Sequence, residues 1–144
     1  MGGRRFFLSI QKFYAANELL HSQNYAEAIK LYTEVIKLNP YEAMAYHNRG
    51  DSYRNLEQFD RAIKNYSKAI RLNPNLDVAY CNRGNAYYDL GQYERTIRDF
   101  DKAIALNPNL SPAYNNRGYA YQSLGDEEKA QADFAKAKKL GYNG

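Results

Sequence analysis

The chain has 144 residues, 44% of them hydrophobic, with a net charge of +4 at pH 7 and one cysteine. That length suits one domain. Cys81 has no second cysteine to pair with, which excludes an intrachain disulfide and permits a reducing compartment. No apolar run is long enough to span a bilayer, and the modest positive charge allows acidic partners without demanding them.

Arg4-Arg5-Phe6-Phe7-Leu8 has the outline of a twin-arginine export signal. Gln11-Lys12 cuts its apolar run short, and Ala15-Ala16-Asn17-Glu18 already belongs to the first repeat described below. Met1-Gly2 has the form of a myristoylation start, but Phe6 stands where Ser or Thr is required. Residues 1–8 are therefore set apart as an N-terminal extension or expression remnant. A cytoplasmic location is expected, without membrane insertion.

Beyond that point the chain repeats. Asn39-Pro40, Asn73-Pro74 and Asn107-Pro108 fall 34 residues apart, each closing a similar apolar run such as Ala69-Ile70-Arg71-Leu72. A period of this length signals stacked helical units that touch only their neighbours. Four repeats follow in order: 9–42, 43–76, 77–110 and 111–144. In the second, Ala45, Tyr46, Gly50, Tyr53 and Leu56 mark the apolar stripe of a first helix, A. Glu57-Gln58 makes a turn. Phe59, Ala62, Ile63, Tyr66, Ala69 and Ile70 mark a second helix, B, which Asn73-Pro74 stops, because proline lacks an amide hydrogen and restricts the residue before it. The third repeat follows suit with Tyr80, Gly84, Tyr87, Thr96, Phe100 and Ala103, and the fourth with Tyr114, Gly118, Tyr121, Ala130, Phe134 and Ala137. The first is more divergent. Small residues at 16, 50, 84 and 118 are expected where helices A and B cross closely.

These residues resemble the tetratricopeptide repeat family, whose pattern is Trp-x2-Leu-Gly-x2-Tyr, then Ala-x3-Phe, then Pro. Here the third repeat reads Tyr80-x2-Arg83-Gly84-x2-Tyr87, then Thr96-x3-Phe100, then Pro108. The resemblance covers residues 9 to 142. Its departures are Tyr for Trp, Arg for Leu, and Tyr142 in place of the last proline. It implies an all-α, right-handed solenoid of antiparallel helix pairs, with a concave groove lined by the A helices. It implies a non-catalytic scaffold or adaptor that binds an extended peptide segment in that groove.

Arg49, Arg83 and Arg117 occupy the site that the family fills with leucine. Sixteen residues later stand Asn65, Asp99 and Asp133; in the first repeat the same two sites are Ala15 and Leu31. The paired switch suggests an A–B contact with a polar and an apolar version, because a half-buried arginine needs a partner. The alternative is a basic ladder facing a ligand.

By resemblance, groove positions include His47, Asn48 and Asp51 in the second repeat, and Cys81, Asn82, Asn85 and Tyr88 in the third. The fourth adds Asn115, Asn116 and Tyr119. Asn48, Asn82 and Asn116 recur at the repeat spacing, and an amide offers both donor and acceptor to a peptide backbone. The same three asparagines also fit a purely scaffolding role copied with the repeat. The carboxylate clamp of chaperone-tail-binding members maps to Phe13, Asn17, Asn48, Val78 and Asn82. Only the two asparagines at 17 and 48 match, and the three basic positions do not, which argues against an acidic C-terminal tail as ligand.

Most Lys and Arg residues fall on B helices, away from the tyrosine stripes, so a solvated face is expected rather than a nucleic-acid site. His21, His47 and Cys81 lack metal-ligand spacing, and no Gly-rich phosphate loop appears. Neither metal, cofactor nor catalysis is expected. The partner is expected to be a protein or peptide. The alternative reading is a structural assembly module self-associating through the C-terminal repeat, since no capping helix follows Leu140.

Overall fold

The computed structural model describes residues 2–144. Eight helices and no strand occur among them: α1 (Gly2–His21), α2 (Tyr25–Leu38), α3 (Ala43–Asn55), α4 (Phe59–Leu72), α5 (Asp77–Asp89), α6 (Tyr93–Leu106), α7 (Ser111–Ser123) and α8 (Glu127–Lys139). Odd-numbered helices are the A helices and even-numbered ones the B helices of four hairpins. α1 begins inside the stretch set apart as residues 1–8 and is longer than the other A helices. The fold is all-α and of the repeat-solenoid class.

The B helices end where the Asn-Pro pairs predict. Asn39, Asn73 and Asn107 are extended residues (φ between −138° and −143°), the conformation that a following proline favours. Each still donates its N–H to the last turn: Asn39 to the Val35 carbonyl, Asn73 to Ala69, Asn107 to Ala103. The A helices end differently. Gln23, Glu57, Gly91 and Gly125 all have positive φ, between 58° and 80°. The amide three residues beyond the helix then bonds back, as Gln92 does to Tyr87 and Asp126 to Tyr121, each at 2.9 Å. Glycine adopts that backbone freely at 91 and 125, whereas Gln23 and Glu57 hold it against a steric cost.

The chain divides into two compact units, the first ending at Pro74 and the second beginning at Asn75. In the first unit α1 packs on α2, α2 on α3 and α3 on α4, with a further contact of α1 with α3. Its core gathers Ala16, Ala28, Tyr32, Val35 and Ala45, flanked by Phe13, Leu19, Leu20, Leu31 and Ile36. In the second unit α5 packs on α6, α6 on α7 and α7 on α8, and α5 also meets α7. Ala79, Ala86, Phe100, Ala103, Ala113, Ala120, Ala130 and Ala137 are buried there. The abundance of alanine lets helix backbones approach closely, and one aromatic ring per B helix fills what remains: Tyr32, Tyr66, Phe100 and Phe134. Thr96 is buried where the other B helices place alanine; its hydroxyl is satisfied by the carbonyls of Gly84 (3.1 Å) and Gln92 (3.2 Å).

Candidate functional site

The A-helix arginines are half-buried and bond residues of the B helices. In the first unit Arg49 Nε donates to Asn65 Oδ1 at 2.7 Å, and Asn65 Nδ2 in turn donates to the Arg61 carbonyl at 2.8 Å, which fixes the amide with its oxygen toward the guanidinium. In the second unit Arg83 makes a two-bond fork to Asp99 (2.9 and 2.8 Å), and Arg117 makes one to Asp133 (2.8 and 2.7 Å). These are contacts between the A and B helices of one repeat. A second set was not foreseen. Arg49 Nη1 also donates to Thr33 Oγ1 on the preceding B helix (3.1 Å), and Arg117 Nη1 to Asp101 Oδ1 (2.8 Å). The signal was present as a polar residue at 33 and 101, sixteen residues before each arginine, but it changes type from hydroxyl to carboxylate.

The electrostatics follow the partners. Hydrogen bonding to Asp99 holds the Arg83 pKa above its usual value, and bonds to Asp133 and Asp101 do the same for Arg117. Arg49, with neutral partners, is shifted down by burial. Tyrosines on the same A helix flank these cations. Arg83 lies 5.8 Å from the Tyr80 ring centre and 5.9 Å from that of Tyr87; Arg117 lies 5.5 Å from Tyr114 and 5.8 Å from Tyr121. From the B helix, Arg61 covers Tyr53, Arg95 covers Tyr87 and Lys129 covers Tyr121. Basic and aromatic groups therefore do share this face, contrary to the separation expected from sequence. The rings at Tyr87 and Tyr121 each carry two cations, which leaves them poorly placed to stack a nucleobase.

The other face of the A helices carries the amides. In the first unit Asn48 Nδ2 donates to Asn17 Oδ1 (3.0 Å), which also accepts from the Tyr32 hydroxyl (2.6 Å). Burial raises the Tyr32 pKa, so the hydroxyl stays a donor. The Tyr66 hydroxyl reaches Asp51 in the same way at 2.6 Å. In the second unit Asn116 Nδ2 donates to Asn85 Oδ1 (3.1 Å). Asn115 bonds Asn116 at 3.4 Å. Tyr119 is exposed, edge-on to Phe134, and Tyr88 is half-buried, edge-on to Tyr93. Asn82 is half-buried on α5. His47 differs from expectation: it is 5% exposed, tilted against Tyr66, with Nδ1 2.9 Å from Asn48 Oδ1. It positions the amide instead of presenting its ring to a ligand. Sequence reasoning placed Asn17 at a clamp position and Tyr66 in an apolar stripe, but missed the hydrogen bonds that Asn17, Tyr32 and Tyr66 make to this face. Asn17, Asp51 and Asn85 recur at the same interval as the three ladder asparagines, which was the available clue.

Cys81 is half-buried. Burial, followed by the Asp77 and Asp99 carboxylates, pushes its pKa up to about 12. A raised pKa keeps the thiol protonated. Alkylation by iodoacetamide at pH 8 is therefore expected to run about a hundredfold slower than for a free thiol, and to be still climbing at pH 10. A pH–rate profile that levels off near pH 9 would contradict this environment.

The first unit also contains an open cleft of about 280 Å³, lined by Phe6, Ser9, Ile10, Phe13, Tyr14, Asn39 and Glu42. Among the described residues no group of three or more His, Cys, Asp or Glu could hold a metal ion, and no helix is long and apolar enough to cross a membrane.

Comparison with known proteins places this arrangement. Models described as tetratricopeptide repeat match residues 12–42, 31–64, 78–110 and 100–132, and one described as TPR repeat matches 50–91. Hsp70-Hsp90 organizing protein 1 from Glycine max is 55% identical over 40 residues, and that from Arabidopsis thaliana 52% over 40. Each match covers 28% of this chain and spans only 7% of the relative. Among solved structures, a crystal structure of MamA superposes with a TM-score of 0.88 at 24% identity, covering 92% of this chain and 77% of that one, a likeness of fold. The first TPR of Spaghetti (RPAP3), bound to the HSP90 peptide SRMEEVD, gives a TM-score of 0.80 at 28% identity, covering 82% of this chain and 94% of that one. With models of one repeat family overlapping from residue 12 to residue 132, on four hairpins with the matching small-residue crossings, the chain belongs to the tetratricopeptide repeat family.

Proposed function

We propose that this chain is a non-catalytic adaptor that holds an extended segment of another protein against the A-helix faces of its repeats. The observation that carries the reading is the state of the amides. Asn48 and Asn116 each spend one Nδ2 hydrogen on a neighbouring asparagine, which fixes the side chain's orientation. Asn116 Nδ2 has a second hydrogen to offer a peptide carbonyl, while Asn48 also bonds the Tyr32 hydroxyl and would exchange that contact for the peptide. An orienting bond of this kind lowers the entropy lost on binding. The RPAP3 domain supports a peptide as ligand, since this fold at 28% identity was solved with one bound.

The test uses an array of unrelated extended peptides probed with the wild-type chain and with Asn48→Ala/Asn82→Ala/Asn116→Ala. At about 1 kcal/mol net per hydrogen bond, the triple variant should bind about a hundredfold more weakly. Circular dichroism should show its helices retained, at a small cost in melting temperature from the lost amide–amide bonds. An unchanged binding pattern in a folded triple variant would remove the reading.

A further inference from the structure

The strongest anomaly on the surface lies in the first unit. Phe6 is 61% exposed, Ile10 37% and Tyr14 64%. These three fall at successive fourth positions on α1, so they form one stripe. Tyr14 holds in the first repeat the place that Asn48 holds in the second, and Ile10 the place of Met44. The stripe therefore continues the A-helix face on which Asn17 and Asn48 lie. It lines the 280 Å³ cleft together with Asn39 and Glu42, from the turn between α2 and α3.

Glu42 is the one charged residue lining that cleft. It sits at the N-cap of α3 yet makes no side-chain capping bond, so its carboxylate is not engaged by the helix. Neighbouring cations are directed elsewhere: Arg5 donates to the Lys37 carbonyl, and Lys12 pairs with Glu34 on the α2 side. An apolar cleft of this size accommodates one large aliphatic or aromatic side chain, and a single unengaged carboxylate in its lining is complementary to a cation.

We propose that this cleft receives an apolar side chain of a protein segment with a Lys or Arg immediately beside it, so that the first unit selects apolar–basic sequences over acidic tails. The inference rests on the adaptor reading above and specifies its ligand class. It sets this chain apart from the RPAP3 domain, which was solved with the acidic peptide SRMEEVD. Phe13 occupies a basic position of the clamp pattern and here lines the apolar cleft.

The experiment is NMR titration of the full chain with N-acetyl-phenylalanyl-lysinamide, with N-acetyl-phenylalaninamide and SRMEEVD as comparison probes. The Phe-Lys probe should shift the Ile10 methyl resonance. Ile10→Ser should weaken its binding about tenfold, and Glu42→Gln should reduce it to the level of the lysine-free probe. Both residues are outside the buried core, and melting curves of the variants establish that they fold. No shift at Ile10, a Glu42→Gln variant that binds like wild type, or SRMEEVD binding at the cleft as tightly as Phe-Lys would each overturn the proposal. The two ideas separate cleanly. The short probe does not need the asparagine ladder, so failure here with the array result intact removes only the apolar–basic cleft. Loss of the array result with the cleft titration intact removes only the ladder.

Discussion

Asp99→Ala is expected to lower stability by about 1–3 kcal/mol, a fall of roughly 3–12 °C in Tm. The carboxylate side chain is 7% exposed and takes two hydrogen bonds from Arg83, itself 20% exposed, at 2.9 and 2.8 Å. Removing it deprives a largely desolvated guanidinium of its fork acceptor while the cost of burying the charge remains. Arg83→Ala combined with Asp99→Leu reproduces the Ala15 and Leu31 of the first repeat and should recover part of the loss. Asp133→Ala should cost less than Asp99→Ala, because Arg117 keeps Asp101 at 2.8 Å. Urea denaturation of the three variants checks both statements. A double variant no better than Asp99→Ala would show that the two versions of the contact are not interchangeable.

Gly50→Ala and Gly84→Ala should move stability in different directions. A Cβ at Gly50 would stand 2.8 Å from Cε1 and 2.9 Å from Cδ1 of Tyr66. That ring is fully buried, and its hydroxyl is tied to Asp51, so it cannot swing away. Overpacking of this kind costs about 1–3 kcal/mol, against about 1 kcal/mol returned by alanine's helix propensity. At Gly84 the nearest atoms are Phe100 Cε2 at 3.2 Å and Asp99 Cβ at 3.3 Å. Phe100 has no hydroxyl to anchor it, and a shift of a few tenths of an ångström suffices, so Gly84→Ala should be neutral or slightly stabilising. Ala16 holds the equivalent place in the first repeat, where the helix pair has room for the methyl group. Equal melting temperatures for the two variants would show that the Tyr66–Asp51 tether does not matter.

The helix pairs and their ends were legible because the features that carry them are local. An Asn-Pro pair stops a helix through covalent geometry, and a glycine sixteen residues before an aromatic ring marks a crossing through excluded volume. The arginine positions were legible for a related reason: Arg with Asn or Asp, and Ala with Leu, vary together within one chain. The amide network was harder to read. Asn17 meets Asn48 across 31 positions and Tyr32 across 15, so no single period links the three. The burial of His47 was also not legible, since a histidine on a polar A helix gives no sign of whether Tyr66 will cover it. The stacking of Arg83 on Tyr80 and Tyr87 could have been read from their spacing of three and four on one helix. Both tyrosines had already been assigned to the apolar stripe, and the same ring does both jobs.

The backward reach of Arg49 and Arg117 has a consequence for how the molecule opens. Each guanidinium holds its own B helix and the one before it, so freeing an A helix such as α3 or α7 breaks polar bonds to two neighbours at once. Fraying of a single hairpin is thereby penalised, and the two hairpins of a unit are wired to exchange their amide hydrogens together. In hydrogen exchange, the protection of α2 should rise and fall with that of α3, and that of α6 with α7. The arginines then set the grain of the protein's breathing, with the pair of repeats as its smallest step.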